Sequence, residues 1–169
     1  MASPEKTIAD DGVLTFIEAF EASNRNQPVG DAPAGSFSQQ DVIQSAPGLG
    51  GTIACDDGEL AIFGDLSIEG PGAESLTFDV GGQNRVFFIW ASASAHLSGM
   101  TITGGSADNG GGIYNCYGTL TVANSTISGN STLSGNSAEY GGGIYNTGTL
   151  TVTNSTLSGN TANWNGGGI

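Results

Sequence analysis

The second half of the chain alternates apolar and small polar residues over very short runs. In the run TLTVA at residues 119–123, Leu120 and Val122 alternate with threonine and alanine, and Ile127 lies between polar neighbours shortly afterwards. Glycine and asparagine separate the runs, and no helical period is present. The pattern predicts very short strands joined by tight turns.

These runs belong to an internal repeat. GGGIYNCYGTLTVANSTISGN at residues 110–130 returns as GGGIYNTGTLTVTNSTLSGN at residues 141–160, and GGGI occurs again at residues 166–169. The repeat unit is about 25 residues long, and the duplication STISGN/STLSGN at residues 125–136 lengthens one copy. Repeats of this size indicate stacked supersecondary units.

Three short strands per unit, without a helical period, predict an all-β fold: a right-handed parallel β-helix with one coil of about 25 residues per repeat. Like residues should then stack on like residues. We expect three interior ladders: Leu97, Val122 and Val152; Ile102, Ile127 and Leu157; and Ile113, Ile144 and Ile169.

The turn residues of the repeat have predicted roles as well. The glycines before each isoleucine are expected to turn the chain with positive φ. Asn115 with Asn146, and Asn124 with Asn154, are expected to bond neighbouring coils at the corners.

The chain before the repeats divides into two parts. Residues 51–109 contain looser alternating strands, so the sequence predicts β-helix coils over 51–169, with the last coil incomplete. Residues 1–50 are assigned to a tail and a capping region, in which DGVLTFIEAFEASN at residues 11–24 is the predicted helix. Its apolar stripe of Leu14, Ile17, Ala19 and Phe20 would cover the open end of the first coil.

Composition limits the choice of partners. The formal net charge is −13, and the three basic residues, Lys6, Arg25 and Arg85, cannot form a basic patch, which argues against nucleic acid and anionic membranes. No stretch reaches the roughly 20 apolar residues of a membrane span, and the N-terminus lacks the apolar core of a signal peptide. Cys55 and Cys116 are expected about two coils apart, which at about 4.8 Å per coil exceeds the roughly 7 Å limit for a disulfide, so both are predicted to be thiols.

The repeat phrase resembles bacterial secreted right-handed β-helix surface proteins, including those with polymorphic outer-membrane-protein-like repeats. The segment DGVLTFIEAFEASN, followed by GPG and LSGMTITGG, resembles the CSLREA-type N-terminal region of such proteins, although residues 12–15 are GVLT instead of CSLR. The resemblance implies a β-helix at the cell surface. It does not imply one activity, because such proteins include adhesins, passengers and proteins of unknown role.

One candidate site is a ledge formed by successive coils. Asp108, Glu139 and Trp164 each lie five residues before the isoleucine of a GGGI phrase. In register they would stack, with Asn109, Tyr140 and Asn165 beside them. Two neighbouring carboxylates and an aromatic ring are typical of a glycosidase pair or a sugar-binding ledge, whereas a solvated loop is the structural alternative.

A polysaccharide lyase is a second enzymatic alternative, which requires Ca²⁺ ligands and a basic residue. Asp56, Asp57 and Glu59 could hold Ca²⁺, although such a run is more often a solvated turn, and no other metal or cofactor is predicted. The repeats contain no lysine, and Arg85 is expected to pair with a carboxylate.

An outward threonine row offers a third alternative, since such a row could order water at an ice surface. The row comprises Thr119, Thr121, Thr149 and Thr151. Ser94 and His96 interrupt it one coil earlier, and threonine is also simply a good strand residue. His96 has no nucleophile in its pattern and is expected to be an ordinary surface residue.

The leading hypothesis is a non-enzymatic, structural or adhesin-like protein of the extracellular space or cell surface. Its open coil end would pair head-to-tail into filaments or continue into the rest of a longer surface protein. The predicted assembly residues are Gly166, Gly167, Gly168 and Ile169 at one end and Leu14, Ile17 and Phe20 at the other. The alternative is a carbohydrate-binding or polysaccharide-degrading module that uses the ledge of Asp108 and Glu139, with glycans as partners.

Overall fold

The structure is a computed structural model that describes residues 15–46, 50–55, 58–132 and 140–169. Helix α1 spans Phe16–Arg25. The first coil contains β1 (Asp41–Gln44), β2 (Gly51–Ala54) and β3 (Leu60–Ile62), and the second contains β4 (Asp65–Glu69), β5 (Leu76–Asp79) and β6 (Phe87–Ile89). The third contains β7 (Ser94–Ser98), β8 (Thr101–Thr103), β9 (Ser106–Ala107) and β10 (Ile113–Asn115). The fourth contains β11 (Thr119–Ala123), β12 (Thr126–Ser128), β13 (Ser131–Thr132) and β14 (Ile144–Asn146), and β15 (Thr149–Thr153) and β16 (Thr156–Ser158) begin a further coil.

The strands form parallel sheets that run along the stack of coils. Their orders are β1-β4-β7-β11-β15, β2-β5-β8-β12-β16, β3-β6-β10-β14 and β9-β13. Each coil therefore pairs with the coil before and the coil after it, which confirms the predicted parallel β-solenoid. The first sheet already includes β1, so the solenoid begins inside the segment that the sequence assigned to the tail and cap.

The predicted interior ladders are present except at Ile169, which is 57% exposed and lies outside the described strands. Val122 is in register with Leu97 and Val152, and Ile127 with Ile102 and Leu157. Ile113 pairs with Ile144, whose N–H donates to the Gly168 carbonyl at 2.9 Å. Burying each aliphatic side chain contributes about 1.5–3 kcal/mol, so the ladders are the main source of stability along the stack.

The three glycines of the repeat phrase have two different structural roles. This corrects the prediction that all of them turn the chain with positive φ. Only the first glycine of each phrase is left-handed, with φ of 62° at Gly110 and 66° at Gly141. The third glycine instead allows close packing, because a Cβ on Gly112 would lie 2.5 Å from the Gly143 carbonyl oxygen of the next coil. Both roles exclude a side chain, for different reasons.

Asparagine ladders satisfy polar groups at the corners of the coils. Asn115 Nδ2 donates to Asn146 Oδ1 at 2.7 Å, as predicted. Asn124 and Asn154 act through their backbones instead: both are left-handed, with φ of 49° and 47°. A further ladder that the sequence analysis missed is formed by Asn130, which is fully buried and whose Nδ2 lies 3.1 Å from Asn160 Oδ1.

Helix α1 covers the interior at the first coil, as the sequence predicted. Phe20 is buried, and Phe16 and Ile17 pack against the core. The Phe16 ring meets Phe78 of the second coil edge-on at 5.0 Å, and Phe78 meets Phe87 at 5.2 Å. The helix therefore continues the hydrophobic core of the coils, although Leu14, which was predicted to join this contact, lies outside the described residues.

The start of the helix is fixed by a capping box. Thr15 Oγ1 accepts a hydrogen bond from Glu18 N, and Glu18 Oε2 accepts one from Thr15 N at 2.7 Å. We expect Thr15→Ala to lower the free energy of unfolding by about 1 kcal/mol, because the backbone N–H of Glu18 loses its hydrogen-bond acceptor. Urea denaturation followed by circular dichroism measures the loss.

Thr52→Ala is the matched control for this substitution, because Thr52 is exposed on β2. Its effect should stay within about 0.5 kcal/mol. Equal losses for the two variants would contradict a specific role for the cap.

Cys55 and Cys116 are not joined in a disulfide, in agreement with the prediction. Cys55 is buried after β2, and its Sγ lies 3.7 Å from the Ile53 carbonyl oxygen. Cys116 follows β10 in the third coil and is partly exposed. The fold therefore gains no covalent cross-link from its cysteines.

Candidate binding surface

The outer face of the sheet β3-β6-β10-β14 is aromatic. Phe88, Tyr114 and Tyr145 occupy matched positions on successive coils. The ring centroids of Phe88 and Tyr114 are 5.1 Å apart, and those of Tyr114 and Tyr145 are 5.0 Å apart. All three rings are half-buried, so they present a continuous partly exposed apolar surface.

Further rings extend this row at both ends. Trp90 contacts Phe88 at 5.3 Å and stacks with Phe63 at 5.6 Å, while Tyr140 stacks with Tyr145 at 6.2 Å. Phe63 is 55% exposed and Trp90 47% exposed. We call the six rings the aromatic strip: Phe63, Trp90, Phe88, Tyr114, Tyr145 and Tyr140.

Arg85 contacts two rings of the strip. Its guanidinium carbon lies 5.2 Å from the centroid of Phe88 and 5.1 Å from that of Tyr114. Its Nη1 pairs with Glu59 at 2.6 Å, as the sequence predicted for this arginine, and its side chain is only 13% exposed. Burial lowers the pKa of Arg85 and Glu59 opposes the shift, so the guanidinium stays protonated and Glu59 balances its charge.

Tyr114 lies at the centre of the strip, and its phenol is expected to ionise at a higher pH than that of an ordinary tyrosine. Burial, together with a hydrogen bond to Cys116, raises the pKa of the Tyr114 phenol above its ordinary value of 10.0. Because the folded state favours the neutral phenol, the stability that this provides is complete below about pH 10 and is lost as the pH rises through the higher folded pKa. An ultraviolet absorbance titration of the protein and of Tyr114→Phe measures it.

The difference between the two titration curves should show one phenol that ionises above pH 10.0, and urea should abolish the shift. A difference curve with its midpoint at or below that value in the folded protein would contradict the burial of Tyr114.

The predicted ledge is described only in part. Asn109, Tyr140 and Asn165 pair across coils as isolated parallel bridges, in the predicted register. Asp108 is exposed and interacts electrostatically with Arg85. Trp164 is 66% exposed, but Glu139 lies outside the described residues. The carboxylate pair therefore stays a prediction.

The residues predicted for assembly differ in exposure between the two ends of the solenoid. The carbonyls of Gly166, Gly167 and Gly168 accept hydrogen bonds from the fourth coil at 2.9–3.0 Å, and Ile169 is 57% exposed. At the other end, Phe20 and Ile17 pack onto the core of the chain itself. In this structure, any contact with a second copy at that end would have to use another face of the helix.

The outward threonine row has the predicted register. Thr121 pairs with His96 on one side and with Thr151 on the other, and Thr119 pairs with Ser94. His96 also faces Ser67 of the second coil. The threonine array is therefore two coils wide before serine and histidine replace it, and ice binding stays an untested alternative.

The described ranges contain neither a clustered metal site nor a membrane-spanning helix. These residues contain no group of three or more His, Cys, Asp or Glu that could hold a metal ion, and no helix there is long and apolar enough to cross a membrane. Asp56 and Asp57 of the candidate Ca²⁺ run lie outside these ranges, and Glu59 pairs with Arg85. Calcium binding therefore remains a prediction.

Comparison with known proteins gives no match. No family model matches the chain, and neither curated proteins nor solved structures give a significant match. Support for a function therefore comes from the fold and from the geometry of its surfaces.

Most of the aromatic strip was missed by the sequence analysis, which selected only Tyr140. The signal was nevertheless present in the repeat. Phe88, Tyr114 and Tyr145 each follow the inward residue of a matched strand, namely Phe87, Ile113 and Ile144. The outward positions of the repeat therefore predict the row as its inward positions predict the ladders.

Proposed function

We propose that this protein is a non-enzymatic, adhesin-like structural solenoid that acts in the extracellular space or at the cell surface. The observation that supports the proposal is the exposed aromatic strip on a stack of in-register coils. Each coil is hydrogen-bonded to its neighbours, so the backbone holds the rings of the strip at fixed spacings. Exposed aromatic patches on rigid scaffolds are typical of binding surfaces.

Surface location is tested in intact cells of the source organism. With an antibody against the chain, we expect added protease to remove the signal while a cytoplasmic marker stays intact. Adhesion is tested with beads that carry the purified protein, which should adhere to cell surfaces more strongly than albumin-coated beads. A protease-resistant internal signal, or adhesion equal to albumin, would overturn the proposal.

Head-to-tail assembly is a further part of this proposal. Leu150, Val152 and Leu157 of the last described strands are only partly buried, and a further coil stacked on β15 and β16 would bury them. If a second copy supplies that coil, filaments should lengthen with concentration in negative-stain electron microscopy, and Leu157→Asp should abolish them. Uniform single particles at all concentrations would contradict head-to-tail assembly.

The second candidate function is a carbohydrate-active ledge, which the register of Asn109, Tyr140 and Asn165 favours. Asp108 and Glu139 directly precede Asn109 and Tyr140 in the sequence, so both carboxylates belong to the proposed ledge. If the ledge acts as a glycosidase, hydrolysis of a polysaccharide should be detected as new reducing ends and should disappear in Asp108→Asn and Glu139→Gln. Hydrolysis that persists in both variants would exclude these carboxylates.

A further inference from the structure

We infer that the aromatic strip binds a neutral polysaccharide, whose chain lies along the solenoid axis across successive coils. This inference rests on the proposed adhesin-like function and specifies its ligand. A pyranose ring has a face of C–H groups and a rim of hydroxyls. Aromatic side chains with one apolar face and one polar tip suit such a ligand, and Tyr114, Tyr145 and Tyr140 provide both.

The spacing of the rings favours a polymer over a single small sugar. Phe88, Tyr114 and Tyr145 repeat from coil to coil at ring distances of 5.0–5.1 Å, which follows from the strand spacing of about 4.8 Å. With the flanking rings, the row covers four coils. A ligand that repeats a ring-shaped unit along one line meets several of these aromatic rings, whereas a monosaccharide meets one or two.

The charge around the strip disfavours an anionic ligand. Arg85, the cation that lies against these rings, is already paired with Glu59 and bonded to the carbonyls of Asn109 and Gly110. The whole chain carries a formal charge of −13, which repels polyanions at long range. Polyuronates, sulfated glycans and nucleic acids are therefore disfavoured.

The strip is also held in a binding-ready arrangement. The guanidinium of Arg85 lies against both Phe88 and Tyr114, and the ring contacts continue from Phe63 to Tyr140. Side chains that are already ordered lose little entropy when a ligand binds. An open face still makes few contacts per sugar, so the affinity should grow with the number of sugar units.

The experiment uses the full chain and three soluble neutral polysaccharides: a mixed-linkage β-glucan, a β-mannan and an amylose. Retardation in affinity gel electrophoresis identifies the polysaccharide that binds, and isothermal titration with its oligomers of increasing length measures affinity. We expect at least one neutral polymer to bind, longer oligomers to bind more tightly, and polygalacturonate not to bind. Failure of all three neutral polymers would overturn the inference, as would equal binding of polygalacturonate.

Substitutions then locate the site. Tyr114→Ala and Tyr145→Ala should each weaken binding by about tenfold, because each removes one stacking partner. Phe37→Ala is the matched control, since Phe37 is 86% exposed and lies outside the strip. The affinity of this variant for the polysaccharide should equal that of the original protein. Thermal unfolding of each variant verifies the fold, and an unchanged affinity in a folded Tyr114→Ala variant would overturn the inference.

A second copy of the chain is the competing occupant of the strip. If Tyr114→Ala converts an oligomer into a monomer in analytical ultracentrifugation, the strip is a protein interface and the inference is wrong. Failure of the inference can also be separated from failure of the proposed function. Beads that adhere without any polysaccharide binding would overturn only the inference, whereas polysaccharide binding by a protein found only inside cells would overturn only the proposed function.

Discussion

Gly105→Ala is expected to lower the free energy of unfolding by about 4 kcal/mol, which is near the upper limit for a single substitution. A Cβ at this position would lie 2.5 Å from the carbonyl carbon of Gly111, closer still to its oxygen, and 2.9 Å from Asn130 Oδ1. The hydrogen bonds of the coil fix the backbone around Gly105 and Gly111, so relieving the clash would break some of them. Chemical denaturation measured by circular dichroism gives the value.

Gly64→Ala is the matched control for Gly105→Ala. A Cβ at Gly64 would meet no atom within 4 Å, and the φ of this residue is outside the left-handed region. Its effect should stay within about 0.5 kcal/mol. Similar losses at the two positions would show that glycine flexibility, rather than close packing, controls the stability of the coils.

Asn130→Asp is expected to cost about 3–5 kcal/mol at neutral pH. Asn130 is fully buried, and its Nδ2 donates to the carbonyl oxygens of Ile102 and Ser128 and to Asn160 Oδ1, at 3.1–3.2 Å. A carboxylate in the same place would direct a charged oxygen at three other oxygens. Urea denaturation of the variant and the original protein measures the difference.

The pH dependence of this loss tests its cause. Burial near other oxygens should raise the folded pKa of the new carboxyl above its unfolded value, so the deficit should shrink as the pH falls towards about 4. Asn84→Asp, at an exposed position, should cost no more than about 0.5 kcal/mol. A deficit in Asn130→Asp that does not change with pH would indicate a loss of shape rather than a buried charge.

The stability losses of Gly105→Ala and Asn130→Asp should not be additive. Gly105 N donates to Asn130 Oδ1 at 2.9 Å, so both residues belong to the same corner between the third and fourth coils. The double variant should therefore lose less stability than the sum of the single losses, because one disrupted corner cannot be disrupted twice.

The sequence could predict the interior of the solenoid because a repeat imposes the same choice on each coil. The alternation around Val122 and Ile127 assigned the inward residues, and the copy spacing assigned their partners. The helix and its capping role were also predictable, since the apolar stripe with Ile17 and Phe20 follows an ordinary helical period.

The candidate site was less predictable, because outward residues carry no burial signal of their own. In the sequence, Tyr114 differs from an isolated exposed tyrosine only by its place in the repeat, which Phe88 and Tyr145 share. Its importance comes from Phe88 and Tyr145 on the adjoining coils and from Arg85, which lies nearly thirty residues earlier in the chain than Tyr114 and against its ring.

The sequence by itself therefore determined the class of fold, the length of the coil, the inward ladders and the absence of a basic surface, because each depends on local alternation or on composition. The tertiary structure decided which glycines turn and which allow close approach, which asparagines bond between coils, and that six rings form one surface. Those features depend on the distance between chain segments that become neighbours only when the coils stack.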